Sequence, residues 1–213
     1  MKHFDKHSLV MEECRNKLRA LADLLAAKDE LSERDDILPF FKRNRHLAAF
    51  IGTYVPAIAN PDLVAVEYDL FGDFTCDLAI GDSHNKTYLL VEFEDAKARS
   101  LFADKGAKEA PEWASRVEHG FSQVIDWFWK LSDMEKTEAY EHRFGVRVAS
   151  VHGLVIAGRD QYMEAREKAR LKWRQEHTVI ASKKVSVITF DQLLSDLSYR
   201  LNRFPAAARA DAR

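Results

Sequence analysis

Three carboxylates fall inside apolar runs of the stretch GDFTCDLAIGDSHNKTYLLVEFEDA (72–96): Asp77, Glu92 and Glu94. An ionised side chain inside a strand is costly to bury unless it is paired or coordinates a cation. The runs FTCDLAI and KTYLLVEFE read as strands, and the turn-forming GDSHN between them makes a hairpin. Side chains alternate across a strand, so parity sorts the hairpin into two faces. Cys76, Leu78, Ile80, Leu89, Val91 and Phe93 share one face; Asp77, Ala79, Leu90, Glu92 and Glu94 share the other. With Asp82 to Asn85 as the turn, Asp77 lies opposite Leu90 and diagonal to Glu92. Diagonal neighbours are about 7–8 Å apart at the backbone, close enough for two carboxylates to converge on one cation. Hard divalent ions such as Mg²⁺ take oxygen ligands of this kind. A half-exposed antiparallel strand with a solvated acidic face has the same alternation. Parity alone leaves both readings open.

Around the hairpin the chain alternates helical and strand patterns. Val10, Cys14, Leu18, Leu21 and Leu25 recur at helical spacing within residues 8 to 28. A second helical stretch follows in LSERDDILPFFKRNRHLAAFIG, where Ser32 and Asp35 resemble a capping box and Pro39 suits a first turn or a kink. LVAVEYDL predicts a strand before the hairpin, and residues 95 to 112, with Gly106 and Pro111, predict a loop. From Trp113 to Leu131 the residues Val117, Phe121, Val124, Ile125 and Phe128 form a helical stripe. Gln123 lies off that stripe beside Trp127, and His119 is placed on the surface. GVRVASVHGLVIAG (145–158) reads as a buried strand, 160–177 as a charged helix and KVSVITF as a short strand. Thr189 with Gln192 offers a second capping box for a last helix. The expectation is one α/β domain spanning 31–204, an N-terminal helix (1–30) packed on it, and a disordered tail (205–213).

Bulk properties exclude more than they select. The chain has 213 residues, 46% hydrophobic and 31% charged, enough for one sizeable core. No apolar run is long enough to cross a bilayer, and the charged start MKHFDKHSLVMEECRNK does not resemble a signal peptide. Cys14 and Cys76 are too far apart in sequence for zinc-type spacing, so a reducing cytoplasm is expected. A net charge of −2 makes no global argument for nucleic acid. Locally, Arg166, Lys168, Arg170, Lys172 and Arg174 make the C-terminal part basic. They are candidates for DNA phosphate contacts, or a solvated face balanced by Glu164, Glu167 and Glu176. Gly-rich phosphate loops, Gly-x-Ser-x-Gly elbows and His-Glu-x-x-His helices are absent from the sequence.

An Asp on one strand, Glu-x-Lys on the next and a glutamine on the following helix form the core of the PD-(D/E)xK nuclease superfamily. Here Asp77, Glu92-Phe93-Glu94 and Gln123 stand in those places. More closely, the chain resembles the nuclease domain of the Shedu anti-phage defence family. The segments that carry the resemblance are GDFTCDLAIGD, LLVEFEDAKARSLFADKG, HGFSQVIDWFW and VSVITFDQLL, in order across residues 30 to 200. It implies a PD-(D/E)xK restriction-endonuclease-like mixed β-sheet flanked by helices, Mg²⁺ or Mn²⁺ as cofactor, DNA as substrate, and a homo-oligomer, dimer or tetramer. Asp77 and Glu92 would be metal ligands, with Gln123 orienting the site from its helix. Glu33 would match an acidic residue supplied by an early helix, although a first-turn glutamate is also what a helix dipole favours. The departure is Glu94, which stands where the family's lysine aligns water and stabilises developing negative charge. A glutamate cannot do the second task but can ligand a metal or act as a base. A lysine could reach in from the following loop instead, and Lys97 and Lys105 are the candidates. The alternative function is a nuclease-fold module that binds DNA or a protein without turnover.

Overall fold

The computed structural model describes residues 3–104, 106 and 108–203, so Lys105 and the tail 205–213 lie outside the described residues. Strands β2 (Leu63–Leu70), β3 (Phe74–Asp82) and β4 (Thr87–Phe93) form an antiparallel meander, edged by the short β1 (Asp5–Lys6). Beyond β4 the sheet turns parallel, with β5 (Ser150–Ile156) and then β7 (Lys183–Ile188), and β6 (Val179–Ile180) closes it antiparallel to β7. The strand order is β1-β2-β3-β4-β5-β7-β6.

Parallel neighbours need a crossover, usually a helix. Between β4 and β5 run α4 (Ser115–Met134) and α5 (Glu138–Phe144), and between β5 and β7 runs α6 (Ala165–His177). These pack on one face of the sheet through Val117, Val124, Trp127, Phe144 and Leu171 against Ala79, Leu90, Val155 and Val187. The other face, through Leu78, Ile80, Leu89, Val91 and Phe93, is covered by α1 (Met11–Ala27), α2 (Leu38–Arg43), α3 (Arg45–Phe50) and α7 (Phe190–Arg203). The result is a mixed α/β fold with helices on both faces of the sheet. Cys14 and Cys76 are buried free thiols. Among the described residues no helix is long and apolar enough to cross a membrane.

Several expectations need correction. The hairpin turn is one residue later than the sequence suggests, because Asp82 still pairs with Thr87. Its carboxylate is occupied as the turn's organiser, accepting the NH groups of Ala59, Asn60, His84 and Asn85 at 2.9–3.0 Å. Ala79 rather than Asp77 is therefore opposite Leu90, and Asp77 and Glu92 come level, one step past the last pair Leu78–Val91. Cys76 also changes face, packing in the cluster of Tyr68 and Leu90 rather than with Leu78 and Ile80. The cause is a kink shared by β2 and β3. Glu67 is held at φ 53° and the Glu67–Asp77 pair is skipped between Val66–Leu78 and Tyr68–Cys76. A non-glycine residue in this left-handed region costs on the order of 1 kcal/mol and inverts the alternation.

Other differences are local. Residues 33–37 form a π-helical turn, not a Ser32–Asp35 capping box, and the Asp36 carboxylate accepts the Ser32 NH at 2.9 Å. Helix α5 gave no periodic signal, being only seven residues long. The second box is half formed: Thr189 Oγ1 accepts the Gln192 NH at 3.0 Å, while the Gln192 side chain turns to Gln175.

How closely α4 approaches the sheet depends on Gly153 of β5, where an added Cβ would overlap Val124 and stand 3.1 Å from Phe128 Cζ. Gly153→Ala should therefore lower stability by about 1–3 kcal/mol through overpacking. Thermal unfolding of the variant beside the wild type measures this, at roughly 2–4 °C of Tm per kcal/mol for a chain of this size. An unchanged Tm would show that α4 is not seated by this contact.

Candidate metal centre

The carboxylates collect where β4 ends and α4 begins, at the carboxyl end of a parallel strand, where open α/β sheets place their ligands. Glu92 is on the α4 face of the sheet and 6% exposed; Glu94, one step beyond the strand, is 1% exposed. Helix α4 presents Arg116, His119 and Gln123 toward them, spaced i, i+3 and i+7 and so on one side of the helix. Gly120 permits the approach, since a Cβ there would stand 3.1 Å from Glu94 Cγ.

Each carboxylate has a different environment. Asp77 Oδ2 accepts the Phe93 NH at 2.8 Å, so its side chain closes the gap where β3 and β4 part. Glu92 Oε1 accepts a hydrogen bond from Gln123 Nε2, while Oε2 is buried and finds no partner among the described residues. Glu94 Oε1 lies 2.9 Å from His119 Nδ1, and Oε2 lies 3.4 Å from an Arg116 guanidinium nitrogen. Arg116 also faces Glu33 at 3.7 Å and Asp95 at 3.6 Å. Asp95 accepts the Glu33 NH at 2.8 Å and an ion pair from Lys97 at 2.9 Å. The antiparallel bridge Leu31–Ala96 holds these two segments together.

Like charges in a buried place resist ionisation. Burial pushes Glu92 well above the usual carboxylate range, and the charges of Asp77, Glu94 and Glu33 add to it against the Gln123 hydrogen bond. Asp77 is raised by burial too, opposed by the Phe93 NH and reinforced by Glu33, Glu94 and Glu67. Glu33 is raised by burial and by Glu94, with Arg116 opposing. Burial also pushes Asp95 up, but the Glu33 NH, Lys97 and Arg116 outweigh it and leave this carboxyl below its ordinary value. A bound cation would reverse the penalty on Asp77 and Glu92 and satisfy the orphaned Glu92 oxygen. The donor set is mostly hard oxygen, so it fits a divalent metal.

Of the residues singled out in sequence, Asp77, Glu92, Glu94, Gln123 and Glu33 are brought to one place. Lys97 reaches it through Asp95. The basic helix divides. Arg170 donates to the Pro111 carbonyl at 2.7 Å and lies 5.2 Å from the Trp113 ring centroid. Arg174 pairs with Glu118 at 2.5 Å and packs over Trp113 and Phe121. These two therefore fasten α6 to α4 and to the loop before it. Arg166 and Lys172 are exposed, Lys172 with Glu176 at 3.9 Å. Trp127 is fully buried and only Trp129 is exposed, at 61%, so α4 does not carry aromatics outward on two sides.

Arg116 and His119 were not legible as site residues. His119 is largely exposed, as expected of a surface residue, yet its ring nitrogen meets Glu94. The signal available was the polar stripe Arg116–His119–Gln123 beside the apolar one. A cavity of about 700 Å³ between α1 and α7 contains none of these residues, so concavity does not locate the site.

The model of a known family, Shedu protein SduA, C-terminal, matches residues 30–194. The chain belongs to the Shedu family. No curated protein matches it. The Shedu match includes Glu33, Asp77, Glu92, Glu94, Arg116, His119 and Gln123, and leaves α1 outside.

Asp77, raised to about 7, and Glu92 bind protons more tightly folded than unfolded. The metal-free folded state thus holds extra protons above the ordinary carboxylate range, and these two groups make stability fall as pH rises through neutrality. His7 and His152, both lowered by burial, act in the opposite sense over part of that range, so the comparison with a variant is the readout. In chelator, Glu92→Gln should flatten the fall in Tm between about pH 5 and pH 8 and stabilise the protein by roughly 1–3 kcal/mol at the upper end. Parallel curves for variant and wild type would rule out a strained Glu92.

Proposed function

We propose that this Shedu chain is a metal-dependent endonuclease of PD-(D/E)xK type that hydrolyses phosphodiester bonds in DNA. Membership of the Shedu family suggests a part in anti-phage defence. The observation that carries the nuclease reading is the carboxylate group at the end of β4, with the buried, unpartnered Oε2 of Glu92 at its centre. A structural acidic cluster would be expected to pair its oxygens or leave them in water.

Asp77, Glu92 and Glu94 would hold Mg²⁺ or Mn²⁺. When bound, such an ion acts as a Lewis acid toward phosphate and lowers the pKa of water. Gln123 fixes the Glu92 carboxylate by donating to Oε1. Asp77 is fixed by the Phe93 NH. Glu94 replaces the lysine of the resembled pattern, so positive charge must come from another residue. Arg116, with its side chain half exposed and its guanidinium beside Glu94, Glu33 and Asp95, is placed to face a phosphate. Arg166, Lys168 and Lys172 are exposed on the basic helix and would meet a DNA backbone, whereas Arg170 and Arg174 hold α6 in place. Self-association into a homo-oligomer is part of the same reading.

A non-cleaving binding module is the second reading. It is favoured by one observation, that Glu94 is already clasped by Arg116 and His119.

Purified protein incubated with plasmid and Mg²⁺ or Mn²⁺ separates the two. Nicking that stops on chelation is expected, with Glu92→Ala lowering the rate by about 100-fold or more. Arg116→Ala should lower it by at least about tenfold. Cleavage that survives in Glu92→Ala would sink the site assignment, and retained DNA binding without cleavage would favour the module. Reversing the charges of Arg166 and Lys172 should weaken DNA binding and reduce its salt slope by about 1–2. Unchanged affinity at low salt removes α6 from the interface.

A further inference from the structure

The ligands assigned above are carboxylate oxygens, but the structure assembles a different trio more tightly. Glu92, Glu94 and His119 each offer one ligand atom, and these atoms all lie within 4.8 Å of one another. We propose that His119 is a metal ligand, which gives the centre a nitrogen donor and a preference for first-row transition ions over Mg²⁺. This rests on the reading that Glu92 and Glu94 hold a divalent cation.

Three independent features point the same way. First, His119 Nδ1 is 2.9 Å from Glu94 Oε1, while Arg116 holds the other Glu94 oxygen, so Oε1 and the imidazole face a common space. Second, Glu92, whose carboxylate belongs to the same trio, keeps a buried oxygen, Oε2, without a partner among the described residues, on a residue only 6% exposed. Third, the imidazole fills no hydrophobic gap: its side chain is 63% exposed, and Gly120 next to it brings the helix within reach of Glu94. A largely exposed histidine that reaches a buried carboxylate is arranged for a ligand rather than for the core.

The chemistry follows from donor type. Oxygen-only sites suit Mg²⁺, Ca²⁺ and Mn²⁺, whereas imidazole raises affinity along the first-row series toward Co²⁺, Ni²⁺ and Zn²⁺. Neutral imidazole with its one N–H on Nε2 is the form that ligates through Nδ1. Asp77, committed to the Phe93 NH through Oδ2, would complete the set through its second oxygen.

Isothermal titration of the full chain with Mg²⁺ and with Co²⁺, together with pulsed EPR of the Mn²⁺-loaded protein, tests this. Expected for the wild type is Co²⁺ binding at least about tenfold tighter than Mg²⁺. Nitrogen-14 coupling to Mn²⁺ should also be seen. His119→Ala should lose the coupling and about tenfold in Co²⁺ affinity, with Mg²⁺ affinity kept within about threefold. His119→Asp should restore Co²⁺ binding in part, without nitrogen coupling. Because the side chain is exposed, both variants are expected to keep the wild-type circular dichroism. Ion binding that Glu92→Gln abolishes, but that shows no nitrogen coupling or keeps it in His119→Ala, overturns the assignment of His119. Absence of ion binding in the wild type, or binding unaffected by Glu92→Gln, overturns the metal centre itself and this assignment with it.

Discussion

Mutual repulsion among buried carboxylates is the constraint around which this part of the molecule is built. Asp77, Glu92, Glu94 and Glu33 come from two strands, a strand end and a helical turn; Glu33 and Glu94 raise the proton affinity of Asp77 and Glu92, Asp77 adds to that of Glu92, and Glu94 to that of Glu33. Such a group is stable only if its charges are reduced or countered. The protein does this unevenly. Glu94 and Asp95 have Arg116 and, respectively, His119 and Lys97 beside them, whereas Glu92 has one amide on Oε1 and, among the described residues, nothing on Oε2. The deficit is concentrated on the residue best placed at the centre. A protein that stabilised only its own fold would gain by replacing that carboxylate with an amide. Its retention argues for a function in which a cation supplies what the fold withholds.

The scaffold that holds this group is made of close approaches rather than of a pocket. Gly120 and Gly153 let α4 lie low over β4 and β5, which brings Arg116, His119 and Gln123 down to the carboxylates. The kink at Glu67 and Asp77 interrupts the pairing between β2 and β3 at the same level. Asp77 can then turn its side chain toward the Phe93 NH in the plane where β3 and β4 separate. The Leu31–Ala96 bridge brings the 33–37 turn against the β4 end, and so Glu33 to Arg116. Four separate backbone devices thus converge on a few side chains, and loosening any one of them changes the charge balance of all.

Basic residues in the second half of the chain do two distinct things. Arg170 and Arg174 are drawn into cation–π contacts with Trp113, Phe102 and Phe121 and into bonds with Pro111 and Glu118. Their hydrophobic stems and planar heads serve packing as much as charge. Arg166 and Lys172 keep their charge at the surface. A local excess of lysine and arginine in sequence therefore overstates the positive surface available to a phosphate backbone.

Sequence alone determined most of the long elements and the face of the β4 carboxylates. Alternation of apolar residues marked β3 and β4, helical spacing marked α1 and α4, a capping residue marked α7, and parity placed Ala79, Leu90, Glu92 and Glu94 on one side together with Asp77, because these signals are properties of local geometry. The four ordered segments from GDFTCDLAIGD to VSVITFDQLL pointed to the Shedu family, and the family match over residues 30–194 agrees. Only the tertiary structure decided the register, the partners and the third ligand candidate. Register depended on the Asp82 turn and the Glu67 kink, which no alternation reveals. Arg116 and His119 sit 22 and 25 residues from Glu94 along the chain, and each is exposed enough to read as ordinary helix surface. What makes them part of the site is the distance between a helix and a strand end. Two glycines permit that distance, because a Cβ at either would crowd the helix against the sheet.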